Sequence, residues 1–443
     1  MELSLNEIIQ VTGAAVNTSE DIVFSGISTD TRDLKQGELF VALKGEKFNG
    51  DDYANAAFEK RAGAVLVSDT AKNLPDGCVV LKVPDTLEAY LQIGELWRKK
   101  FDIPVIAITG SVGKTTTKDL TAAALSPLTN IEYTRENENN EIGVAKTVLR
   151  LNEKTRAAAV EIGMRGLGQI SRLSKVVRPT IGIVTNVSGS HLGMLGSIEN
   201  IAKGKGELVE SLQAGSTVIL NADNPYTAAM KDLAQNGVEV LTYSIKDAEN
   251  ISCSLSGSKF TFRGNDFEIN LLGEHNISNA LPAIIAAQLL NIPIERIAKS
   301  LKSLEPRNGR LKVIEKDGFR IINDAYNASP ESMRAGLHTV GEIVKGRKIC
   351  ILGDMLELGE NEKELHKEIG AEIKKNGYDA LITLGELGES IAEGAKESGV
   401  KDVFVTSSHE EAAKKILEIR RKNDTFYFKA SHGMHMEKII ELI

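Results

Sequence analysis

Short apolar runs alternate with longer amphipathic stretches along the chain, and this alternation predicts an α/β fold. In the first region, residues 51–61 have the spacing of a helix. Apolar runs on either side of it predict strands at 21–32, 37–43, 63–69 and 78–83. We therefore expect a small α/β domain at residues 1–84.

The second region, which we place at residues 85–305, opens with an amphipathic helix at 86–100 and a β-branched run at 103–110. Such a run is typical of a buried parallel strand. Helical segments separate several later apolar runs, at 157–163, 180–187, 216–223 and 239–244. This order predicts a parallel sheet with helices on both faces.

The third region, at residues 306–443, alternates strand and helix patterns regularly, and it predicts a separate, doubly wound Rossmann-like domain. Its apolar runs are 320–326, 348–355, 379–385, 402–407 and 425–431. Ligands of such sheets bind beyond the carboxyl ends of the strands. The stretches INDAYN, ILGDM and KASHG all sit at strand ends, so we expect a binding site at that edge.

Composition narrows the class of protein. The net charge is −8, so the composition does not indicate a broad basic surface for binding nucleic acid. Cys78, Cys253 and Cys350 lie far apart without CxxC spacing, which is typical of a reducing compartment and argues against a zinc site. The first residues carry no signal-peptide pattern, and no apolar run is long enough to span a bilayer. We expect a cytoplasmic monomer that neither inserts into membranes nor binds nucleic acid.

The stretch ITGSVGKTTTK, at 108–118, carries the strongest chemical signal. A glycine-rich turn between a strand and a helix lets backbone N–H groups point at phosphate oxygens. Lys114 would then reach the β- and γ-phosphates, and the Thr115 hydroxyl would bind Mg²⁺. A chance Gly-Lys-Thr in a surface turn is the alternative, but the flanking strand and helix argue against it. The expected ATP-binding loop residues are Gly110, Ser111, Val112, Gly113, Lys114, Thr115 and Thr116.

Two polar residues follow other predicted strands of the same sheet. Glu161 ends one buried run, where a carboxylate can hold Mg²⁺ beside the phosphates. His191 comes just past another strand end. A lone histidine is more often structural, but its place beyond a strand of this sheet favours a role at the site.

The loop TGSVGKTTTK resembles the T-G-[ST]-x-G-K-[ST] loop of the Mur ligase superfamily, whose members join amino acids to carboxylates using ATP. Only two residues separate Gly110 from Gly113, and this short spacing reduces the number of nucleotide-binding families that the loop can belong to. Glu161 and His191 match positions where the family's metal ligands fall. The resemblance therefore implies an ATP-dependent ligase that uses Mg²⁺, with two ions expected.

The stretch IENIAKGKGELVE, at 198–210, has by itself the pattern of a solvated helix of lysines and glutamates. It is similar to the family's A-K-x-E-[IL] segment, which carries a lysine that reacts with CO₂ to form a carbamate. Alignment on Glu207 gives this role to Lys205 and not to Lys203, with Gly204 in place of the usual alanine. The carbamate is an anion suited to a second Mg²⁺. The implied catalytic residues are Lys114, Glu161, His191 and Lys205, and the implied metal ligands are Thr115, Glu161, His191 and carbamylated Lys205.

Two later segments extend the implied nucleotide site. LLGEHNISNALPAIIAA is similar to the family's G-x-H-N-x-x-N signature, and the resemblance implies that Asn279 contacts the adenine. A cluster of helix-capping residues is the alternative, and both can hold at once. GRLKV resembles the segment whose arginine, here Arg310, reaches the nucleotide from the domain junction. The expected ATP-binding residues outside the loop are His275, Asn276, Asn279, Arg310 and Asp324.

The third region resembles one branch of the superfamily, through INDAYNASPESMRAGL and through LGDMLELG followed by His366. This branch joins D-alanyl-D-alanine to UDP-N-acetylmuramoyl-tripeptide, through an acyl phosphate, in cytoplasmic peptidoglycan precursor synthesis. STDTR, GEKFNGDDY and TRENENNEIGVAKT resemble segments of its first two domains. The residues expected to bind the UDP substrate are Thr29, Asp30, Thr31, Arg32, Asn49, Gly50, Asn137, Asn139 and Asn140. Those expected to bind the dipeptide are Asn327, Ser329, Lys429, Ser431 and His432.

Several positions depart from the family's patterns. In the first two domains Thr31, Asp51, Glu136 and Ala145 replace serine, histidine, glycine and proline. Near the C-terminus the family's K-G-S-R-x-x-x-M-E appears as KASHGMHME, with Ala430 for glycine and His432 for arginine. An arginine offers a permanently charged fork to a carboxylate, whereas a histidine is only partly charged near neutral pH. We therefore expect altered dipeptide affinity or a variant second substrate.

Three other functions stay open at this level. The ligase one step earlier, which adds the third amino acid, would carry an amino-acid-reading motif in place of LGDMLELG. A folylpolyglutamate synthase-like ligase shares the loop and the carbamate but does not need a uridine-binding first domain. A catalytically idle binding homologue belongs to another class, and the retention of Lys114, Glu161, His191 and Lys205 argues against it.

Overall fold

The computed structural model describes residues 1–45, 48–189 and 195–443. The chain divides into two compact units. Unit 1 comprises residues 1–107, 128–163 and 170–181, and unit 2 comprises 108–127, 164–169 and 182–443. Both units combine helices with sheets, which confirms the expected α/β class.

Helices and short strands alternate along most of the described chain. The helices are α1 Leu5–Thr12, α2 Ala54–Glu59, α3 Thr86–Arg98, α4 Lys114–Leu125, α5 Glu141–Leu149, α6 Gln169–Val177, α7 Ile198–Ser211, α8 Pro225–Ala229, α9 Glu274–Leu289, α10 Ile294–Lys302, α11 Pro330–Ile343, α12 Glu362–Lys375, α13 Gly388–Glu397, α14 His409–Ile419 and α15 Glu437–Leu442. The strands are β1 Leu3–Ser4, β2 Ala15–Val16, β3 Val23–Phe24, β4 Ile27–Ser28, β5 Leu39–Val41, β6 Ala64–Ser68, β7 Val80–Val83, β8 Val105–Thr109, β9 Ile131–Tyr133, β10 Ala157–Glu161, β11 Ile181–Val184, β12 Thr217–Asn221, β13 Glu239–Tyr243, β14 Ala248–Ser254, β15 Gly257–Phe262, β16 Asn265–Ile269, β17 Lys312–Lys316, β18 Phe319–Asn323, β19 Lys348–Gly353, β20 Ala380–Leu384, β21 Asp402–Thr406 and β22 Thr425–Lys429.

Unit 1 contains a five-stranded sheet of order β2-β7-β6-β5-β4, parallel except where β2 pairs with β7. Its core includes Phe40, Val65 and Val67, all buried. Helix α3 begins after Asp85, whose carboxylate accepts hydrogen bonds from the N–H groups of the first turn. The predicted first α/β region is thus present, although the run at 21–32 forms only the two short strands β3 and β4.

Strands β8 to β13 belong to a six-stranded sheet of order β13-β12-β11-β8-β10-β9. Strands β8, β10 and β12 are buried at every residue, as the apolar runs predicted for a sheet covered on both faces. The glycine loop follows the carboxyl end of β8 directly.

In unit 2 the strands β17 to β22 form a second six-stranded sheet, of order β17-β18-β22-β19-β20-β21. Only β17 is antiparallel to its neighbour, and the other pairs are parallel. Apolar clusters cover both faces, so β19, β20 and β22 are buried along their whole length. The carboxyl ends of β18, β19 and β22 bring Asp324, Asp354 and Lys429 to one edge, as a doubly wound sheet should.

Two features of unit 2 were not predicted. Strands β14, β15 and β16 form a small antiparallel sheet, and β17 adds an antiparallel edge strand. β14 and β17 are largely exposed or half-buried, so neither has the continuous apolar run of a buried parallel strand. Among the helices of the described residues, none combines the length and apolar character needed to cross a bilayer.

Candidate active site

The glycine loop lies between β8 and α4, where the sequence predicted it. Gly110 and Gly113 have φ angles of 152° and 82°, which favour glycine, and a side chain at either position would collide with a neighbouring element. Gly113 is the N-cap of α4 and has no side chain to occupy the helix amides. The half-buried Thr115 and Thr116 lie in the first turn. This geometry suits an anion at the helix N-terminus.

Residues that follow β11 hold the loop in this shape. Asn186 accepts the Ser111 N–H through its backbone carbonyl and the Val112 N–H through its side-chain oxygen, both at 2.9 Å. Ser111 Oγ donates to the Ser188 carbonyl at 3.1 Å and accepts the Ser188 N–H at 2.9 Å. Thr185 Oγ1 donates to the Val112 carbonyl at 2.7 Å. From this segment the sequence predicts only one site residue, His191.

Two lysines of the expected set lie in unit 2. Lys114 begins α4, and its Nζ donates to the carbonyls of Gly110 and Ser111 at 2.8 and 3.0 Å. Lys205 lies on α7 and is buried. Burial, reinforced by the charge of Lys114, holds the pKa of Lys205 well below its ordinary value. Its side chain therefore has a larger share of neutral amine than a solvated lysine has.

In unit 1 the predicted metal carboxylate, Glu161, ends β10 and is 1% exposed. Its Oε1 accepts from Asn139 Nδ2 at 2.8 Å. Its Oε2 is buried and, in the part of the chain that the structure describes, has no hydrogen-bond partner. A buried carboxylate oxygen without a partner is costly, and a bound cation would compensate it.

The remaining residues expected from the middle region have mixed outcomes. Asn140 is the N-cap of α5 and accepts from the Gly143 N–H at 2.9 Å. Asn137 accepts the Asn139 N–H through its carbonyl at 2.8 Å. His191 falls within 190–194, outside the described residues, so its role as a metal ligand stays a prediction.

Helix α9 brings Asn279 against the glycine loop, since a side chain at Gly113 would collide with its amide. Asn279 Oδ1 accepts from Thr117 Oγ1 on α4 at 3.4 Å, and its Nδ2 donates to Asn276 Oδ1 at 3.2 Å. The N-cap of α9 is Gly273, and no side chain among the described residues makes a capping hydrogen bond at this end, so the capping alternative is wrong. The contact with the loop agrees with a nucleotide role for Asn279.

His275 lies in the first turn of α9, and its Nδ1 is 3.3 Å from Thr339 Oγ1 on α11. Removal from water lowers the pKa of His275 to about 4; Lys429 lowers it further and Asp324 opposes the shift. The imidazole is therefore neutral at pH 7. A hydrogen bond to the Thr339 hydroxyl suits that form in either tautomer.

We expect His275 to destabilise the folded chain as the pH falls from about 6.5 to about 4. Because the folded-state pKa lies below the unfolded value, the unfolded chain binds the proton first, and stability is lost as the pH falls through this window. The full shift corresponds to about 3 kcal/mol. In urea unfolding, His275→Gln should lose less stability than the parent between pH 7 and about pH 4.5. The exposed His338→Gln is the control, and equal pH dependence in His275→Gln and the parent would contradict the prediction.

A shared carboxylate connects α4 to the segment that carries Arg310. Asp119 accepts from Lys118 Nζ and from Arg307 Nη2, both at 2.6 Å. Lys118 is fully buried, so its charge needs this partner. Three residues after Arg307, the Arg310 guanidinium carbon lies 4.3 Å from the ring centroid of Tyr326.

Asp324 and Lys429 form a buried ion pair at the edge of the sheet of β17 to β22, at 2.7 Å. The Tyr427 hydroxyl donates to the same carboxylate at 3.0 Å. Lys429 Nζ also donates to the Asn327 carbonyl at 3.2 Å. Lys429 is thus paired within the protein, and a role for it at the dipeptide, or for Asp324 at ATP, stays a prediction.

Other expected dipeptide residues lie on loops of the same domain. Ser329 is the N-cap of α11 and accepts from the Ser332 N–H. Ser431 Oγ accepts from the Leu356 N–H at 2.9 Å. His432 is exposed, so its imidazole can meet a ligand, whereas both serines already have structural partners.

The first uridine motif lies in unit 1. Arg32 donates through Nε and Nη2 to both oxygens of Asp30, at 2.6 to 3.0 Å. This hydrogen-bonded pair lowers the pKa of Asp30 to about 2. The side chain of Arg32 is 87% exposed, so the guanidinium is accessible to a ligand. Thr29 and Thr31, both half-buried, flank Asp30.

The second uridine motif is a tight turn. Asn49 is the N-cap of the short 3-10 helix Gly50–Tyr53, and a side chain at Gly50 would collide with the backbone of residues 42–43. Asp51, which stands where the family has histidine, is buried and accepts from the Ser68 N–H and Oγ at 3.0 and 2.6 Å. The departure at Asp51 therefore has a structural role in the turn.

Comparison with known proteins places the chain in a family. It is 39% identical over 427 residues to the UDP-N-acetylmuramoyl-tripeptide–D-alanyl-D-alanine ligase of Bacillus subtilis, covering 95% of this chain and 93% of that protein. The chain belongs to the Mur ligase family. Three family models match in succession: the Mur ligase family catalytic domain at 23–93, the Mur ligase middle domain at 108–287 and the Mur ligase glutamate ligase domain at 309–432. These matches confirm three domains, while the boundaries at 84 and 305 stay predictions.

Two further likenesses cover nearly all or all of this Mur ligase. The relative of the same name from Escherichia coli is 33% identical, covering 96% of this chain and 94% of that protein. Crystal structure I of MurF from Acinetobacter baumannii superposes with a TM-score of 0.91 at 27% identity, covering 100% of this chain and 98% of that one. The family expectation from the motifs is thereby confirmed.

Several residues of this Mur ligase site escaped the sequence analysis. Asn186 lies two residues past β11, in the segment that leads to His191, so its polar side chain at a strand end was an available signal. Asp119 and Arg307 are 188 residues apart, and no local pattern connects them. Glu331, in the first turn of α11, accepts from the Gly189 N–H at 3.2 Å, while its Oε2 is buried without a partner among the described residues.

Proposed function

We propose that this Mur ligase joins D-alanyl-D-alanine to the terminal carboxylate of UDP-N-acetylmuramoyl-tripeptide, with cleavage of ATP to ADP and phosphate. The full-length likeness to relatives of that name is the observation that carries the proposal. The glycine loop, Lys114, Lys205 and Arg310 are present as that chemistry requires. An idle binding homologue would have no reason to keep this set.

The reaction needs placement and charge stabilisation and no side-chain nucleophile. The γ-phosphoryl group passes from ATP to the substrate carboxylate, and the amine of the dipeptide attacks the resulting acyl phosphate. Phosphate leaves, the amine loses a proton and an amide bond forms. The backbone N–H groups of the loop, Lys114 and Arg310 stabilise negative charge during these transfers.

The residues present suit Mg²⁺ and a lysine carbamate. Glu161 Oε2 is a buried carboxylate oxygen without a hydrogen-bond partner among the described residues, and Lys205 is a buried amine with a lowered pKa. The neutral Lys205 amine would attack CO₂ and release one proton, which leaves a carbamate anion. Bound Mg²⁺ would neutralise phosphate charge during transfer. Thr115 and His191 complete the proposed ligand set.

The substrates divide between regions of the chain in this proposal. The exposed Arg32 and the turn at Asn49 and Gly50 would hold the uridine nucleotide. The loops that end β18 and β22, with His432, would hold the dipeptide. We place the protein in the cytoplasm because precursors of this type are made there, and we propose that it acts as a monomer.

Phosphate release by the purified protein tests the proposal. Release should require ATP, Mg²⁺, UDP-N-acetylmuramoyl-tripeptide and D-alanyl-D-alanine together, and mass spectrometry should detect the pentapeptide product. Activity with UDP-N-acetylmuramoyl-dipeptide and a single amino acid would instead support the preceding ligase. Activity with a folate and glutamate would support the folylpolyglutamate synthase-like reading. No release in any mixture by folded protein would favour the idle homologue.

His432→Arg is expected to lower the KM for D-alanyl-D-alanine about threefold to tenfold, because an arginine grips a carboxylate with two charged hydrogen bonds. An arginine also carries its charge at every pH near neutrality. Initial rates over a range of dipeptide concentrations provide the measurement.

The matched control is His435→Arg, since His435 is also exposed and lies three residues further on. It should leave the dipeptide KM unchanged. If the KM values of the parent and His432→Arg agree, the carboxylate binds elsewhere.

A further inference from the structure

Tyr326 lies in the loop after β18, in contact with two residues that the proposed reaction assigns to different substrates. The Arg310 guanidinium carbon is 4.3 Å from the centroid of its ring. The His432 ring centroid is 5.8 Å away, with an interplanar angle of 72°, which is an edge-to-face arrangement. One aromatic ring therefore touches the arginine expected at ATP and the histidine expected at the dipeptide.

The backbone fixes where this ring stands. The Tyr326 N–H donates to the Gly309 carbonyl at 3.0 Å. Gly309 has a φ of 75°, and a Cβ at that position would lie 2.9 to 3.2 Å from Tyr326 atoms. Glycine thus permits a close approach between two segments, and Arg310, the next residue, is delivered over the ring.

The stack also constrains a side chain that has few other restraints. Arg310 Nε is buried and, within the described ranges, has no hydrogen-bond partner. An arginine restrained only along the aliphatic part of its side chain would sample several rotamers, and binding a phosphate would then cost rotamer entropy. The face of an aromatic ring attracts a guanidinium and orients its plane, which reduces that cost.

We infer that Tyr326 is a positioning residue that sets the Arg310 guanidinium for the nucleotide and the His432 imidazole for the amine substrate. The part of this inference that concerns His432 rests on the proposed function. The part that concerns Arg310 rests on the nucleotide site alone. Tyr326 acts through the face and edge of its ring and does not touch the reacting atoms. The phenyl ring of phenylalanine should therefore replace it, and an aliphatic side chain should not.

The experiment compares Tyr326→Leu with Tyr326→Phe. Tyr326→Leu should raise the Kd for ATP, measured by calorimetric titration, and the KM values for ATP and D-alanyl-D-alanine by about fivefold or more each. Tyr326→Phe should stay within about twofold of the parent in all three. A leucine effect on kcat alone, or equal losses in leucine and phenylalanine, overturns the inference.

A control variant and a double-mutant cycle distinguish a positioning role of Tyr326 from a general loss of structure. Lys415 Nζ lies 4.7 Å from the ring centroid of Phe404, a cation–π pair on β21, so Phe404→Leu should leave all three values unchanged. In an Arg310→Ala background, Tyr326→Leu should add little to the Kd for ATP, because the ring acts through that arginine. Additive losses overturn the inference. If the parent shows no ligation, the proposed function is wrong. The ATP titrations then still test whether Tyr326 positions Arg310.

Discussion

Lys114→Ala is expected to lower ATP-dependent ligation by at least about 100-fold while the chain stays folded. The Lys114 Nζ donates to two carbonyls of its own loop, Gly110 and Ser111, at the start of α4. Its charge is therefore placed where phosphate oxygens would lie. Removing that charge leaves the developing negative charge of the transferred phosphoryl group without its main side-chain partner.

Phosphate release measures the expected loss of activity, and urea unfolding of the same preparation measures whether the chain stays folded. The unfolding midpoint should match the parent, because Lys114 is only half-buried. Lys375→Ala, at an exposed lysine on α12, is the control for loss of a positive charge. Near-parental ligation by folded Lys114→Ala would remove the nucleotide assignment of the loop.

Lys205→Ala is expected to reduce activity by a similar factor, and a short carboxylate such as acetate is expected to restore part of it. Alanine cannot form the proposed carbamate, so the site would lose one anion. Added acetate, or bicarbonate, can supply a carboxylate to the space that the side chain leaves. Activity should also fall when the parent is depleted of CO₂.

The matched control is Lys203→Ala, on the same helix two residues earlier, where the side chain is exposed. It should retain parental activity and show no response to acetate. A crystal structure with ATP and Mg²⁺ bound, in which Lys205 is unmodified and turned to solvent, would contradict the prediction.

The glycine loop could be predicted because its signals are local. An apolar run, two glycines and a lysine followed by a helical pattern lie within 103–126, and the structure has β8, the loop and α4 there. The burial of Lys205 had no such signal, since α7 has the composition of a solvated helix and only the family resemblance singled out one lysine. Its burial comes from tertiary packing, which periodicity does not report.

Contacts between distant segments were beyond the sequence analysis. The hydrogen bonds from Asn186 to the loop, and the stack of Arg310 on Tyr326, depend on how strands and loops are arranged in space. His366 shows the same limit. It belongs to a motif of the third region, and the structure shows that it is buried, with Nε2 accepting the Met355 N–H at 2.8 Å. That bond fixes a loop of the fold and carries no sequence signature.

The pairing of Asp324 with Lys429 restricts how this chain can drift over evolutionary time. Loss of either partner leaves a buried charge without its counter-ion, which costs about 3 to 5 kcal/mol, a large fraction of the stability of a typical domain. A single substitution at either position is therefore strongly destabilising. Joint replacement of both residues by apolar ones can leave the free energy of unfolding nearly unchanged. We therefore expect substitutions at positions 324 and 429 to occur together among relatives, since these two residues hold the ends of β18 and β22 to each other.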